Sequence, residues 1–315
     1  MVRSQPVDTE RSPLARSAPL LAIGAALVVA AVWSVFEAGD TRLSPVEAIL
    51  LGIVEGLTEY LPVSSTGHLN VIQDLLGLTE TDASQDAANA YAIIIQAGAI
   101  AAVGWLYRHR LLHAGRSVLG SGTDEGRRLG FALVLGFIPA GLLAFVFGDV
   151  IKDRLFGIWP TVVAWVVGGI VLLVWSRHER SGTRPFEAIT ARDGLIVGLF
   201  QIVALWPGTS RSLATILGGL AVGLTLRAAV EFSFLLGFLT LGIATAYEAL
   251  DSGAMVLDEF GVLAPALGFV TATIAAAAAV VWMLRYLEER GLALFGWYRL
   301  AIAGVVTALV LTTGL

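Results

Sequence analysis

Apolar runs of about 17–24 residues recur along this chain, separated by short charged stretches. That is the length a helix needs to cross a hydrocarbon layer of roughly 30 Å. A bilayer offers no water to pair backbone N–H and C=O groups, so such runs must be helical. A soluble domain is excluded, because only 14% of the residues are charged and 57% are hydrophobic, against about a quarter charged in soluble proteins. Too little polar sequence is left to cover so large a core. The sequence therefore predicts an all-α polytopic membrane protein.

About seven full spans are expected, near residues 20–36, 89–107, 129–148, 158–175, 228–247, 261–284 and 295–313. Residues 1–19 carry Arg3, Arg11, Arg16 and three prolines and are expected to be a disordered tail. The run 20–36 has a signal-peptide-like core, but Phe36-Glu37-Ala38-Gly39-Asp40 lacks a small-x-small cleavage site, which favours an uncleaved first span. Two further apolar stretches, 46–76 and 194–222, are broken near their middles by proline, glycine and hydroxyl residues. The pattern predicts helices that enter the membrane, break at a polar loop and return, within a membrane domain covering 45–315.

The net charge of −5 hides a clustered pattern, with Lys152 the single lysine among 20 basic residues. Arginines gather in the N-terminal tail, in loop 108–128, in loop 176–193 and after the sixth full span at Arg285 and Arg290. The positive-inside rule puts all four on the cytoplasmic side. Segments 77–88 and 248–260 are acidic and lack Lys and Arg. Loop 149–157, with Lys152 and Arg154 against Asp149 and Asp153, is the weakest signal. Threaded this way, the first broken segment enters from outside, the second from the cytoplasm, and the C-terminus lies outside. Opposite directions predict an inverted repeat. Gly52-x-x-Glu55 and Pro62-x-Ser64-Ser65 match Gly198-x-x-Gln201 and Pro207-x-x-Ser210, with a one-residue slip between the two pairs of motifs.

The stretch Glu55-Gly-Leu-Thr-Glu59-Tyr-Leu-Pro-Val-Ser64-Ser65-Thr66-Gly-His68 carries the chemistry. Glu55 and Glu59 are four apart and share one helix face. Two carboxylates in an apolar segment need a shared cation or proton, and their oxygens suit Mg²⁺ or Ca²⁺. Three hydroxyls follow in a proline-broken loop whose N–H groups can face phosphate. His68 can move a proton near neutral pH. The second segment reads Trp206-Pro-Gly-Thr-Ser210-Arg211-Ser212, and its guanidinium is a phosphate fork that demands an anion partner. If the loops meet, Arg211 faces Glu55, Glu59 and the hydroxyls, and a diphosphate with a divalent cation balances the charge. Structural readings stand beside these. A lone glutamate can snorkel to the interface, the Ser-Ser-Thr cluster can cap the next helix, and Arg211 can anchor a cytoplasmic edge. Three ionisable groups in the fourteen residues 55–68 are harder to explain that way. Glu231, Arg299 and Gln96 fit structural and functional roles alike.

These motifs resemble the two signatures of the undecaprenyl-diphosphate phosphatase family. Ile95-Gln96-Ala97-Gly98, Glu231-Phe-Ser-Phe-Leu-Leu236 and Trp297-Tyr298-Arg299 support the likeness, which runs from about residue 45 to the end. The resemblance implies a bacterial inner-membrane enzyme that converts undecaprenyl diphosphate to the monophosphate, recycles the carrier for cell-wall polysaccharides and is associated with bacitracin resistance. It implies two inverted re-entrant hairpins and a requirement for Mg²⁺ or Ca²⁺. By motif position it makes Glu55 and Glu59 the acidic pair, Ser65 the nucleophile, His68 an acid/base residue and Arg211 the phosphate holder, with Ser64, Thr66, Ser210 and Ser212 lining the site. Leu213 stands where the family usually has glycine, Leu239 where it usually has proline, and the span at 20–36 is extra.

The expected partners are a polyprenyl diphosphate lipid, the bilayer and, as one option, a second copy in a homodimer. Nucleic acid is not expected, since no basic patch with interleaved aromatics occurs, and the absence of cysteine excludes thiolate chemistry. Entry of the first broken segment from outside favours a site near the outer face, with the depth at which the two loops meet deciding. A transporter or flippase of a phosphorylated lipid, or a non-catalytic binder, is the alternative, because broken helices in inverted repeats also mark transporters.

Overall fold

The computed structural model describes residues 43–79, 81–155, 157–177 and 182–313. The expected tail 1–19 and first span 20–36 lie outside them. The described residues form twelve α-helices: α1 (Pro45–Thr58), α2 (Ser65–Leu75), α3 (Asp82–Leu106), α4 (Arg108–Val118), α5 (Asp124–Leu155), α6 (Ile158–Arg177), α7 (Ala191–Gln201), α8 (Arg211–Ala221), α9 (Leu226–Asp251), α10 (Gly253–Phe260), α11 (Leu263–Arg290) and α12 (Ala293–Thr313). Short 3₁₀ turns occupy Phe186–Ala188 and Ile202–Leu205. Among the described residues there is no strand, only an isolated bridge between Arg184 and Leu224.

Six helices are long and apolar enough to cross a membrane: Ser84–Leu106, Asp124–Gly148, Ile158–Arg177, Leu226–Asp251, Leu263–Leu287 and Ala293–Thr312. They coincide with six of the seven expected spans. The expected loops differ in detail. The arginine-rich 108–128 contains α4, the acidic 248–260 contains the end of α9 and all of α10, and α5 runs on through much of 149–157. Charge marks which side of the membrane a stretch occupies, not whether it is helical, and these stretches hold enough apolar residues to pack as short helices.

Each broken stretch is a pair of short helices joined by a turn. At 14 and 11 residues, α1 and α2 are about 16–21 Å long at 1.5 Å per residue, too short to span. The same holds for the 11-residue α7 and α8. Helix α1 starts in a capping box, with Ser44 and Glu47 satisfying each other's backbone and Pro45 in the first turn. Pro62 then prevents continuation. Helix α7 starts in the same device, built from Thr190 and Asp193.

The order of elements repeats. Two short helices, then helices of 25, 11, 32 and 20 residues in α3–α6, are followed by two short helices, then 26, 8, 28 and 21 residues in α9–α12. Packing repeats with it, since α1 lies along α11 as α7 lies along α5. Both contacts need glycine. A Cβ on Gly52 would come 2.5 Å from the Gly268 carbonyl, and one on Gly198 would come 2.4 Å from that of Gly136. Small residues let helix backbones approach in this way. Ser64 and Ser210 fix the register. Both are N-caps, of α2 and α8, and among the described residues they are the two non-glycines with positive φ, at 73° and 77°. Glu55 and Gln201 keep the same spacing as these serines, so the turns align on their capping hydroxyls. The prolines, used in the sequence match, are displaced by one residue.

Candidate active site

The two turns meet. Ser212 Oγ donates to the Leu61 carbonyl at 2.7 Å, and Ser210 Oγ lies 2.9 Å from Ser212 Oγ. Across this seam Arg211 Nη2 donates to Glu59 Oε1 at 3.0 Å, and Arg211 Nη1 to the Ser233 carbonyl at 2.9 Å. The Ser65 hydroxyl donates to the other oxygen of Glu59. One buried carboxylate thus holds both the candidate nucleophile and the candidate phosphate fork. The Arg211 guanidinium also lies 5.3 Å from the centre of the Tyr60 ring, within cation–π range.

Glu55 is fully buried one helical turn before Glu59, and neither of its carboxylate oxygens has a hydrogen-bond partner. Arg211 Nε and the Tyr60 hydroxyl are buried and unpartnered as well. Buried polar groups are normally paired, so this cluster has the character of a site that takes a polar ligand. No group of three or more His, Asp or Glu suited to a metal occurs among the described residues. Two glutamates, one with both oxygens free, still fit a hard cation that takes its remaining ligands from substrate phosphate and water.

A cavity of about 800 Å³ opens at the turns. Glu59, Ser64, Ser65, Thr66, Ser210 and Arg211 line it, and it continues between α5 and α9 as far as Tyr247, Glu248 and Asp251. Gln96 and Gln201 also reach it. Glu55, His68 and Ser212 do not line it. Ser212 faces the other turn. His68 Nδ1 lies 2.6 Å from the Ser64 carbonyl and Nε2 lies 2.7 Å from the Tyr298 hydroxyl. The carbonyl can only accept, so Nδ1 carries the hydrogen and the tyrosine donates to Nε2. Both ring nitrogens are engaged away from the cavity.

The remaining motif residues have structural partners. Arg299 is fully buried. It donates to the carbonyls of Pro62 (3.2 Å), Ala164 (2.8 Å), Trp165 (3.4 Å) and Gly208 (2.8 Å), which ties both turns to α6. Glu231 accepts from Arg110 and Arg227 at the start of α9. Leu213, 3% exposed, belongs to an apolar cluster with Ile216, Val230 and Phe234 beneath the turns. There it adds buried area and takes no position in the cavity.

Some contributors carry no chemical signal in the sequence. Ser233 supplies a carbonyl to Arg211, and Gly237 leaves the guanidinium room, since a Cβ there would lie 2.2 Å from Nη1. Gly168 does the same for Arg299, with a Cβ 2.4 Å from Nη2. Phe-Ser-Phe and Gly-Gly patterns inside apolar helices were the available cues, and each reads equally as packing.

The sequence profile described as bacitracin resistance protein BacA matches residues 48–306. The undecaprenyl-diphosphatase of Methylococcus capsulatus is 41% identical over 265 residues, covering 82% of this chain and 92% of that protein. Undecaprenyl-diphosphatase 2 of Rhodospirillum rubrum is 41% identical over 266 residues, covering 84% and 94%. The undecaprenyl-diphosphatase of Ectopseudomonas mendocina is 42% identical over 264 residues, covering 83% and 92%.

Proposed function

The chain belongs to the bacitracin resistance protein BacA family, and on that premise we propose how its site works. It is a multi-pass inner-membrane enzyme that hydrolyses undecaprenyl diphosphate to undecaprenyl phosphate and inorganic phosphate, returning the lipid carrier to cell-wall synthesis. The observation that carries the mechanism is the double engagement of Glu59, which accepts from Ser65 and pairs with Arg211.

Ser65 Oγ attacks the distal phosphorus while Glu59 takes its proton. The bond from that phosphorus to the bridging oxygen breaks, and Glu59 passes the proton to the departing polyprenyl phosphate. A water molecule then attacks phosphorylated Ser65 and gives its proton to Glu59. Phosphate leaves, and Glu59 returns the proton to Ser65. Arg211, held by Glu59 and the Ser233 carbonyl in the resting site, shares its fork with the transferred group, where developing charge is stabilised. The first-turn N–H groups of α2 that the Ser64 cap does not take, those of Ser65 and Thr66, offer the same phosphate a second cradle.

Mg²⁺ or Ca²⁺, held by Glu55 and Glu59, would supply positive charge against the diphosphate. Glu55 favours this, because a buried carboxylate without a donor needs a cation or a proton beside it.

In the membrane the two short-helix pairs are re-entrant and come from opposite faces. The N-terminus is cytoplasmic, the C-terminus is outside, and the cavity opens outward. Support comes from arginine placement and from the direction of the cavity, which ends at Glu248 and Asp251 on the side poor in basic residues.

The test is phosphate release from a C55 or shorter polyprenyl diphosphate by the purified full chain in detergent, where transport has no meaning. Metal-dependent release lost in Ser65→Ala is the expected result. A folded protein that binds the lipid and releases nothing would overturn the mechanism in favour of transport.

A further inference from the structure

Four successive carbonyls of the first turn are each held by a side chain. Leu61 accepts from Ser212, Pro62 from Arg299, Val63 from Trp165 Nε1 at 3.0 Å, and Ser64 from His68. With its carbonyls drawn outward, the turn leaves its hydroxyls toward the cavity. Ser64 needs that support, because a left-handed conformation is costly for a residue with a Cβ and persists only where its surroundings fix it. Two of the four ties lead to adjacent residues of α12. Arg299 reaches Pro62 directly and also holds Gly208 of the second turn. Tyr298 reaches Ser64 through His68, its ring stacked on the imidazole with centroids 5.7 Å apart and planes 14° apart. Trp165 closes the other side, 5.1 Å from the imidazole.

We propose that Tyr298 and Arg299 are positioning residues for the diphosphatase reaction, and that His68 serves it as a strut between Tyr298 and the strained Ser64. The imidazole has no N–H or lone pair left for substrate. Its part is to keep the Ser64 carbonyl turned away, so that Ser65 leaves α2 aimed at Glu59. This rests on the diphosphatase reading of the site and adds the support that makes its geometry.

The experiment compares Tyr298→Phe, His68→Asn and His68→Ala in the purified full chain. It follows kcat, KM, the pH profile of kcat, and amide hydrogen exchange across residues 61–68. An asparagine amide can still donate to the Ser64 carbonyl but cannot carry a proton. His68→Asn is therefore expected to keep at least about tenfold more activity than His68→Ala, with the wild-type pH profile. Tyr298→Phe should lower kcat about tenfold with KM little changed, and exchange in 61–68 should quicken while α11 stays as it was. The proposal is overturned if His68→Asn is folded yet no better than His68→Ala, or if it loses a limb of the pH profile that the wild type shows. Unchanged exchange across 61–68 in Tyr298→Phe overturns it whatever the turnover. A wild type that releases no phosphate counts against the diphosphatase reading instead, and the exchange comparison still decides the strut.

Discussion

Glu59 and Arg211 stand 152 residues apart in the chain and form an ion pair of 3.0 Å with side chains 5% and 9% exposed. Such a pair costs desolvation on both sides and holds only with close geometry and further hydrogen bonds. Ser65 and the Ser233 carbonyl supply them. Glu59→Gln keeps the shape but removes the charge and the proton acceptor. We predict that kcat falls by about 10²–10⁴-fold, the usual worth of a general base, with the folded protein still recovered from membranes. Single-turnover phosphate release is the measurement, and a rate within tenfold of wild type would remove Glu59 from the base role.

Gly168 and Arg299 give a stability prediction. The guanidinium is held by four carbonyls and cannot swing aside for a Cβ only 2.4 Å from Nη2. Overpacking of this kind costs about 1–3 kcal/mol. Gly168→Ala should lower the unfolding temperature in detergent and loosen both turns together, whereas Gly304→Ala, which meets nothing within 4 Å, should leave it unchanged. Equal melting of the two variants would contradict the rigid staple.

Metal removal tests Glu55. EDTA should stop phosphate release, and excess Mg²⁺ or Ca²⁺ should restore it. Glu55→Gln should raise the metal concentration for half-maximal rate by about tenfold or more, since a hard cation loses an anionic oxygen. An unaltered metal dependence would take Glu55 out of the cation site.

Asp193 offers a pH prediction outside the spans. Burial pushes its carboxyl up, but hydrogen bonds from Arg184, at 2.6 and 3.0 Å, and from Thr190 outweigh this and hold it below its usual range. A lowered value means the clasp stabilises the folded state above the unfolded carboxylate's range, near pH 4, and is lost as pH falls further. Melting temperature should therefore drop below about pH 4 in wild type, and less steeply in Asp193→Asn. Parallel curves would show that the clasp does not contribute.

The spans were legible because a bilayer dictates length and apolarity, and the breaks because proline and clustered hydroxyls cannot continue a buried helix. The meeting of Glu59, Ser65 and Arg211 was legible only as a condition, since an arginine in an apolar stretch demands an anion and the glutamates supply one if the two loops meet. The surroundings of His68 were not legible. Its position on α2 lies beside that of Ser65, and which of the two sees the cavity depends on Trp165 and Tyr298, more than 90 residues away. The repeat register showed in the sequence only with a one-residue slip, because prolines break a turn at several positions, whereas the left-handed capping serine can occupy only one. Room made by Gly168 and Gly237 is invisible until the arginines that fill it are in place.

The staple by Arg299 also sets an order of events in biogenesis. Glu59, Ser65 and Arg211 are all made before residue 212, yet the residue that ties their two turns together sits on α12, which is synthesised later. Until α12 docks against α6, the newly inserted chain holds Glu59, Ser65 and Arg211 without the ties that Arg299 makes to Pro62 in one turn and Gly208 in the other.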